Sequence, residues 1–201
     1  MTRTPRSVRE IAARIVYWGP RGSGKTASLR AVADRLDAET RGPLLAPSDG
    51  DGRTLLMDFL AVEMGSLDGI PVRVHLVGLP GAEHLGEDTL PLLRGADGFV
   101  FVADSAPDRR AANRSALESL RRHLVATGQP DLPLVVQLNR RDVPGAVDAD
   151  ELASELLPAD RVGTSFETVA TRGDGVVEAL TSVCSMVVRN LSAAAEERSG
   201  A

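Results

Sequence analysis

The residue types and spacing that most clearly predict chemistry lie at positions 19–26, where the chain reads GPRGSGKT. This segment matches the pattern G-x-x-x-x-G-K-[ST], in which glycines let the backbone wrap closely around phosphate oxygens. Backbone amides and a helix amino terminus would supply positive potential, Lys25 would reach the outer phosphates, and the Thr26 hydroxyl would complete a magnesium shell. The residues that we expect to bind the phosphates of a nucleotide are Gly19, Arg21, Gly22, Ser23, Gly24, Lys25, Thr26 and Ala27.

A second group of polar residues, NRRD at 139–142, comes directly after an apolar segment. It is similar to the N-K-x-D motif with which GTPases recognise guanine. The Asp142 carboxylate could accept hydrogen bonds from both the ring N–H and the exocyclic amine of guanine, a pattern that adenine does not offer. Asn139 would brace the phosphate loop, and the aliphatic stem of Arg140 would lie over the base in place of the usual Lys. Taken alone, these four residues are also typical of a polar strand end.

Alternating apolar and amphipathic segments predict the elements that position these residues. Strands are predicted at 11–18, 53–62, 71–79, 98–103, 132–138 and 163–170, with a hairpin turn at 67–69. Helices are predicted after the phosphate loop and at about 108–126, 148–157 and 174–196, and loops at 40–52 and 80–88. This order predicts one α/β domain, residues 1–201, with a mostly parallel six-stranded sheet, helices on both faces and one antiparallel hairpin. Ligands of such sheets bind beyond the carboxyl ends of the strands.

The composition is that of a globular domain without a strong signal for nucleic acid or membrane binding. The 201 residues include 28 Asp and Glu against 23 Lys and Arg, a net charge of -5, and Lys25 is the single lysine. Arg is spread along the chain with no basic block, which argues against a nucleic-acid partner. The single Cys184 excludes a disulfide framework within the chain and is expected in the core. Neither end carries a secretion or lipidation motif, so we expect a cytoplasmic protein without its own membrane anchor.

Longer segments of the chain carry a resemblance to a known family over nearly the whole length. The segments are IVYWGPRGSGKT at 15–26, DGRTLLMDFL at 51–60, the turn 79–81, GADGFVFVADS at 95–105 and LNRRDVPGAV at 138–147. Together they resemble the Ras-like small GTPases of the bacterial MglA group. The resemblance implies a P-loop NTPase fold of the Ras type that binds GTP or GDP with Mg²⁺. It also implies a cytosolic switch in cell polarity or gliding motility, with a roadblock-type (MglB-like) homodimer as its activator and with downstream effector proteins.

The resemblance assigns catalytic parts as well. Thr54 matches a switch threonine that binds magnesium when the third phosphate is present, and Arg53 matches an internal arginine finger that neutralises charge on the transferred phosphoryl group. The backbone amide of Gly81 could contact the third phosphate, and Ala170 and Thr171 match a backbone contact to the guanine carbonyl. From the residues alone, Arg53 and Thr54 are also compatible with a solvated edge strand.

The second switch departs from the Ras-like pattern D-x-x-G-Q, since positions 78–82 read GLPGA. Gly78 offers no side-chain oxygen to a metal-bound water, and Ala82 stands where the water-orienting Gln would be. Glu83 or His84 could orient water instead, although both are also ordinary loop residues. We therefore expect slow or absent intrinsic GTP hydrolysis.

Two other functions stay open on the sequence. One is a pseudo-GTPase, which would hold a nucleotide and act as an interaction or scaffold protein without significant hydrolysis. The other is an ATP-dependent kinase or ATPase, which would require selectivity for adenine.

Overall fold

The computed structural model describes residues 10–47, 57–67, 69–81, 90–157 and 163–199, and these residues form a six-stranded sheet with helices on both faces. The strands lie in the order β2-β3-β1-β4-β5-β6, and β2 and β3 form the antiparallel pair while the other neighbours are parallel. The strands are β1 Ile11–Trp18, β2 Asp58–Leu67, β3 Ile70–Gly78, β4 Gly98–Asp104, β5 Leu134–Asn139 and β6 Gly163–Glu167. The helices are α1 Lys25–Arg35, α2 Leu90–Arg94, α3 Arg110–Ala126, α4 Ala149–Leu156 and α5 Val176–Ser199. The predicted fold class is confirmed.

Two apolar cores cover the two faces of the sheet, because successive side chains of a strand point to opposite faces. On β1, Ile15 and Tyr17 belong to the core that includes residues of α1 and α5, whereas Val16 and Trp18 belong to the core that includes residues of α2, α3 and α4. Cys184 is buried in the first of these cores, as predicted. Burying a large aliphatic side chain contributes about 1.5–3 kcal/mol, so the sheet is stabilised from both sides.

The central strands end at the edge where the predicted binding residues lie. Every residue of β4 and β5 is buried, which explains why both segments read as continuous apolar runs. The register pairs Asp104, the last residue of β4, with Asn139, the last residue of β5. The phosphate loop follows β1 directly, next to β4. Three parallel strands therefore bring the two predicted motifs to the same edge.

The second strand differs from the prediction of 53–62. In the described residues it begins at Asp58 and continues to Leu67, with a register shift between Glu63 and Ser66 around Gly65, whose φ is 83°. This bulge breaks the regular alternation of side chains that would have marked the rest of the strand. The predicted loop at 40–52 is described as far as 47, and backbone hydrogen bonds hold residues 40–45 along β2.

The ends of several other elements also differ. The last strand stops at Glu167 rather than at 170, because the chain then turns back with Val169 paired to Asp174 and two glycines with positive φ at 173 and 175. The helix predicted at 108–126 begins with a 3₁₀ turn, Pro107–Arg109, before α3. The short helix α2 was not predicted.

Helix α5 is a core helix that is also apolar. Among the described residues, it is the one helix whose length and composition would allow it to span a membrane. The stretch concerned is Val176–Ala193, which has a mean hydropathy of 1.2. That stretch contains Glu178 and Arg189, and Val183 and Val187 on the same helix are buried in the core. Core helices often pass such a test, so this is weak evidence for membrane insertion.

Candidate functional site

The phosphate loop connects β1 to α1 and leaves the start of that helix without a cap. Gly24 precedes α1 with φ 106°, no side chain caps the helix, and no acidic residue lies in its first turn. The first backbone N–H groups and the positive end of the helix dipole are thus directed toward this loop. A Cβ on Gly19 would lie 2.3 Å from the carbonyl oxygen of Val102, so the loop packs tightly on β4. Such a loop is built to bind an anion.

The Lys25 side chain is buried and folds back on the loop. Its Nζ donates hydrogen bonds to the carbonyl oxygens of Gly19, at 3.0 Å, and Pro20, at 2.9 Å. A compact ammonium with three donors suits this position, because it can satisfy several oxygens within a small volume.

Asn139 joins three separate segments through its side chain. Its Nδ2 donates to the carbonyl oxygen of Ser23 at 2.7 Å, and its Oδ1 accepts from the Thr168 hydroxyl at 3.1 Å and from the Ala170 amide at 2.9 Å. A Cβ on Gly24 would lie 2.1 Å from Nδ2, so a side chain there would displace the amide. The phosphate loop, the NRRD segment and the turn after β6 are therefore held in fixed relative positions.

The remaining base-site residues lie at the exposed edge of this junction. Asp142 and Thr171 are exposed, and among the described residues the Thr171 amide donates to no other group, whereas the Ala170 amide is taken by Asn139. The hydrogen bond from Arg172 to Asp174 raises the pKa of the Arg172 guanidinium, and Asp142 contributes to the same shift. The charge of Asp142 thus acts on Arg172, the residue after Thr171.

Arg140 is held by a carboxylate that the sequence prediction missed. Its backbone is left-handed, with φ 64°, and its Nη1 donates to Oδ2 of Asp104 at 2.8 Å. The same oxygen lies 3.5 Å from Nε of Arg109, whose Nη2 donates to the carbonyl oxygen of Arg21 in the phosphate loop at 2.6 Å. Asp104 thus connects the NRRD segment to the phosphate loop through two arginines. The available signal was that Asp104 is the first polar residue after the apolar run at 98–103.

Asp104 is itself fixed by the start of the next segment. The side-chain amide of Asn113 accepts from the Asp104 backbone N–H at 2.9 Å and donates to its carbonyl oxygen at 2.8 Å. The Asp104 Oδ1 accepts from the Ala106 amide at 3.1 Å. These hydrogen bonds anchor the end of β4 to α3, so the carboxylate that the two arginines contact is held in place.

Comparison with known proteins decides the family. No protein-family model matches the chain. The Mutual gliding-motility protein MglA of Myxococcus xanthus is 38% identical over 187 residues, which cover 92% of this chain and 95% of MglA. The chain belongs to the MglA family of small GTPases. The human ADP-ribosylation factor-like protein 4D is 30% identical over 67% of both chains, and the Chlamydomonas reinhardtii ADP-ribosylation factor-like protein 3 is 28% identical over 74% of this chain and 73% of its own.

Membership of the MglA family fixes the fold and the ligand class. The sheet order and the loop after β1 are those of a Ras-like P-loop GTPase, and small GTPases bind guanine nucleotides. The structure brings the predicted nucleotide-binding residues of the phosphate loop and of the NRRD segment together at the carboxyl edge of the sheet. The individual contacts proposed for them stay predictions.

The switch residues of this MglA-family chain are only partly described. Arg53, Thr54, Ala82, Glu83 and His84 lie outside the described residues. Gly81 is described and lies against the phosphate loop, because a Cβ there would come within 2.7 Å of the backbone nitrogen and Cα of Arg21. Gly81, within the segment 78–82 that the resemblance assigns to the second switch, is thus in contact with the phosphate loop.

One further carboxylate reaches the site from β2. The Thr26 hydroxyl donates to Oδ2 of Asp58 at 2.5 Å, and Asp58 is 1% exposed. Asp58 is not among the predicted site residues, although it lies within one of the segments that carry the family resemblance.

A groove of about 400 Å³ lies away from these residues, between the segment 39–42 and strands β2 and β3. It is lined by Glu39, Arg41, Gly42, Phe59, Ala61, Glu63, Arg73 and His75. None of the predicted nucleotide-binding residues lines it, so it is not part of the nucleotide site.

Proposed function

We propose that the protein is a cytoplasmic molecular switch that binds GTP and GDP together with Mg²⁺ and hydrolyses GTP slowly. The observation that carries this proposal is the buried side chain of Asn139, which ties the phosphate loop to the base motif. A site for one nucleotide needs its phosphate and base subsites at a constant separation, and these hydrogen bonds supply it. The similarity to MglA and to ADP-ribosylation factor-like proteins supports guanine as the base.

Each group has a role that follows from its chemistry. The amides of residues 19–26 and the amino terminus of α1 would hold the phosphates. Lys25 would exchange its bonds to loop carbonyls for bonds to phosphate oxygens. Asp142 would accept from the ring N–H and exocyclic amine of guanine, and the Thr171 amide would donate to its carbonyl. Arg140, fixed by Asp104, would pack its stem along the base.

Magnesium fits the oxygen donors at this site. The Thr26 hydroxyl and a nearby carboxylate are hard oxygen ligands of the kind that Mg²⁺ prefers when nucleotide phosphates complete its shell. We propose that Thr26 and the switch residue Thr54 bind it. When bound, the metal would neutralise charge on the phosphates.

The proposed hydrolysis is slow because a group that orients water is missing. Arg53 would neutralise charge that develops on the transferred phosphoryl group, and the Gly81 amide would contact the third phosphate. Ala82 has no polar atom with which to position the attacking water. Nucleotide binding does not depend on that group, so we expect binding to be retained.

The cellular role that we propose is cell polarity or motility, because the relative in Myxococcus xanthus is named for gliding motility. A roadblock-type homodimer is the proposed activator, and effector proteins are expected to bind the GTP form.

Nucleotide identity tests the base assignment. Protein denatured after purification should release GDP or GTP, and GTP should compete for the site far better than ATP. Asp142→Asn should lower the affinity for guanine and raise that for xanthine, since xanthine carries a carbonyl where guanine has its exocyclic amine. The exposed Asp131→Asn is the control with the same charge change. Competition by ATP as strong as that by GTP would contradict the proposal.

Single-turnover hydrolysis tests the catalytic part. The rate of phosphate release should be low, and Ala82→Gln should increase it, whereas Ala82→Leu, of similar size but without a polar group, should not. Ala82 also favours a second candidate function, a pseudo-GTPase that holds nucleotide as an interaction protein. No phosphate release, with or without a roadblock partner, would support that second function and exclude the first.

A further inference from the structure

The side chain of Arg141, the residue before Asp142, connects two neighbouring segments. Its Nη1 donates to the carbonyl oxygen of Val147, and its Nε donates to Oε2 of Glu167 at 2.8 Å. The Arg141 side chain is 19% exposed and Val147 is buried, whereas Glu167 is 62% exposed. Solvent therefore screens the contact with Val147 less than the contact with Glu167, so the contact with Val147 contributes more.

These two contacts close the turn that contains Asp142. Residues 140–148 connect β5 to α4. The Arg141 guanidinium joins the beginning of this connection to Val147 near its end, and Glu167 attaches the guanidinium to the end of β6. Asp142 itself is exposed. The direction of its carboxylate therefore depends on how firmly the turn is held.

The backbone just before Arg141 needs such support. Arg140 has a φ of 64°, and in the described part of the chain it is the one residue other than glycine with a positive φ. This left-handed conformation is unfavourable for a residue with a Cβ, and it persists where the surrounding structure enforces it. The Arg141 amide donates to the carbonyl oxygen of Thr168 at 3.3 Å, and the Arg141 side chain holds the other end of the turn. Arg141 thus fixes the backbone on both sides of Asp142.

We propose that Arg141 is a positioning residue for guanine selectivity, which holds the Asp142 carboxylate where it accepts from both N–H groups of the base. This inference rests on the proposed function, in which Asp142 recognises guanine. The Arg141 side chain itself is directed to Val147 and Glu167. Its effect should therefore appear in the discrimination between bases and not in the contacts with the phosphates.

The experiment is competition of GDP and of inosine diphosphate against a fluorescent GDP analogue bound to the full-length protein. Inosine diphosphate lacks only the exocyclic amine of guanine, so the ratio of the two affinities measures the hydrogen bond from that amine to Asp142. The unaltered protein should prefer GDP by about 10- to 100-fold, the value of a hydrogen bond to a charged group. Arg141→Met keeps a long side chain without donors and should reduce this ratio by about 3- to 10-fold, the net value of one hydrogen bond.

The ratio separates positioning from stability, because a general loss of stability lowers both affinities together. Arg122→Met makes the same substitution at an exposed arginine of α3 and should leave the ratio unchanged.

A double substitution tests whether Arg141 acts through Asp142. Asp142→Ala should bring the ratio close to one, because the carboxylate that distinguishes the amine is gone. Arg141→Met added to Asp142→Ala should then leave the ratio where it is, since the two residues act as one unit. Glu167→Gln should reduce the ratio less than Arg141→Met, because Glu167 is mostly exposed and the contact with Val147 remains.

The outcomes separate this inference from the function on which it rests. If the unaltered protein binds inosine diphosphate as tightly as GDP, the proposed recognition of guanine by Asp142 is wrong. If the unaltered protein prefers GDP, Asp142→Ala loses the preference and Arg141→Met keeps it in full, the role of Arg141 is wrong while the function stands. If Arg141→Met binds neither nucleotide, Arg141→Lys decides, because its single nitrogen replaces a guanidinium that serves two acceptors. A ratio for Arg141→Lys equal to that of the unaltered protein would then overturn the inference.

Discussion

Replacing Asp104 by Asn removes one negative charge from the point where Arg140 and Arg109 meet. The substitution keeps the shape of the side chain and the oxygen that accepts from the Ala106 amide. It replaces Oδ2, which faces both guanidinium groups, by an amide nitrogen, which donates hydrogen bonds and cannot accept them. The change therefore isolates the ion pairs from the turn that follows β4.

The size of the effect follows from exposure and distance. A hydrogen bond to a charged group contributes about 1.5–3 kcal/mol. Asp104 is 1% exposed but Arg140 is 46% exposed, so solvent screening favours the lower end for this pair. The pair with Arg109, at 3.5 Å and with that arginine 30% exposed, adds about 0–1 kcal/mol. We expect Asp104→Asn to lower the free energy of unfolding by about 2 kcal/mol.

Urea unfolding and nucleotide release measure this prediction. A loss of about 2 kcal/mol should lower the urea midpoint by about 1 M for a domain of this size. If the whole loss appeared in nucleotide binding, GDP release would accelerate by about 30-fold, so we expect an increase up to that value. Asp108→Asn, an exposed carboxylate four residues away, is the matched control. An Asp104→Asn protein with the midpoint and release rate of the control would refute the reasoning.

Three further predictions follow from two buried side chains and one half-buried side chain. Asn139→Ala removes three buried hydrogen bonds and should cost about 3 kcal/mol in urea unfolding, and a loss below about 1 kcal/mol would contradict the bracing role. Burial raises the pKa of the Cys184 thiol to about 12, so a thiol reagent at pH 8 should react only as the protein unfolds, and rapid labelling of the native state would disagree. Burial and the charge of Arg94 lower the pKa of His123 in the folded state. As the pH falls, this histidine is therefore protonated in the unfolded state at a higher pH than in the folded state. Stability should therefore decrease below about pH 6.5, and His123→Gln should show less of this decrease in urea midpoints.

The parts of the fold that could be predicted from the sequence are those specified by short-range patterns. β4 and β5 are buried on both faces and read as continuous apolar runs. The phosphate loop is one contiguous segment, and its glycines have positive φ, a local conformation that favours glycine. The association of residues 40–45 with β2 had no such signal. It is made by backbone hydrogen bonds, which depend little on residue type, because every residue has a carbonyl acceptor and every residue except proline has an N–H donor.

The parts of the site that were missed depend on strand register. Asp58 is 32 residues from Thr26 along the chain, and Asp104 is 36 residues from Arg140. A polar residue at a strand end is visible in the sequence, but its partner is set by the strand that lies beside it. A shift of one residue between β2 and β3 would turn Asp58 to the other face of the sheet. The sequence could therefore indicate the edge of the sheet but not these pairs.

The same geometry explains the single lysine. Arg109 and Arg140 each use a planar guanidinium to reach Asp104 from a partly exposed position, where there is room for several donors in one plane. Lys25 is buried, and its single side-chain nitrogen donates hydrogen bonds to two carbonyl oxygens of the phosphate loop. A guanidinium at position 25 would place three nitrogens in that closed space and would leave less room for the phosphates that we propose to bind there. Arg is thus compatible with the proposed base side of the site, whereas the proposed phosphate side favours Lys.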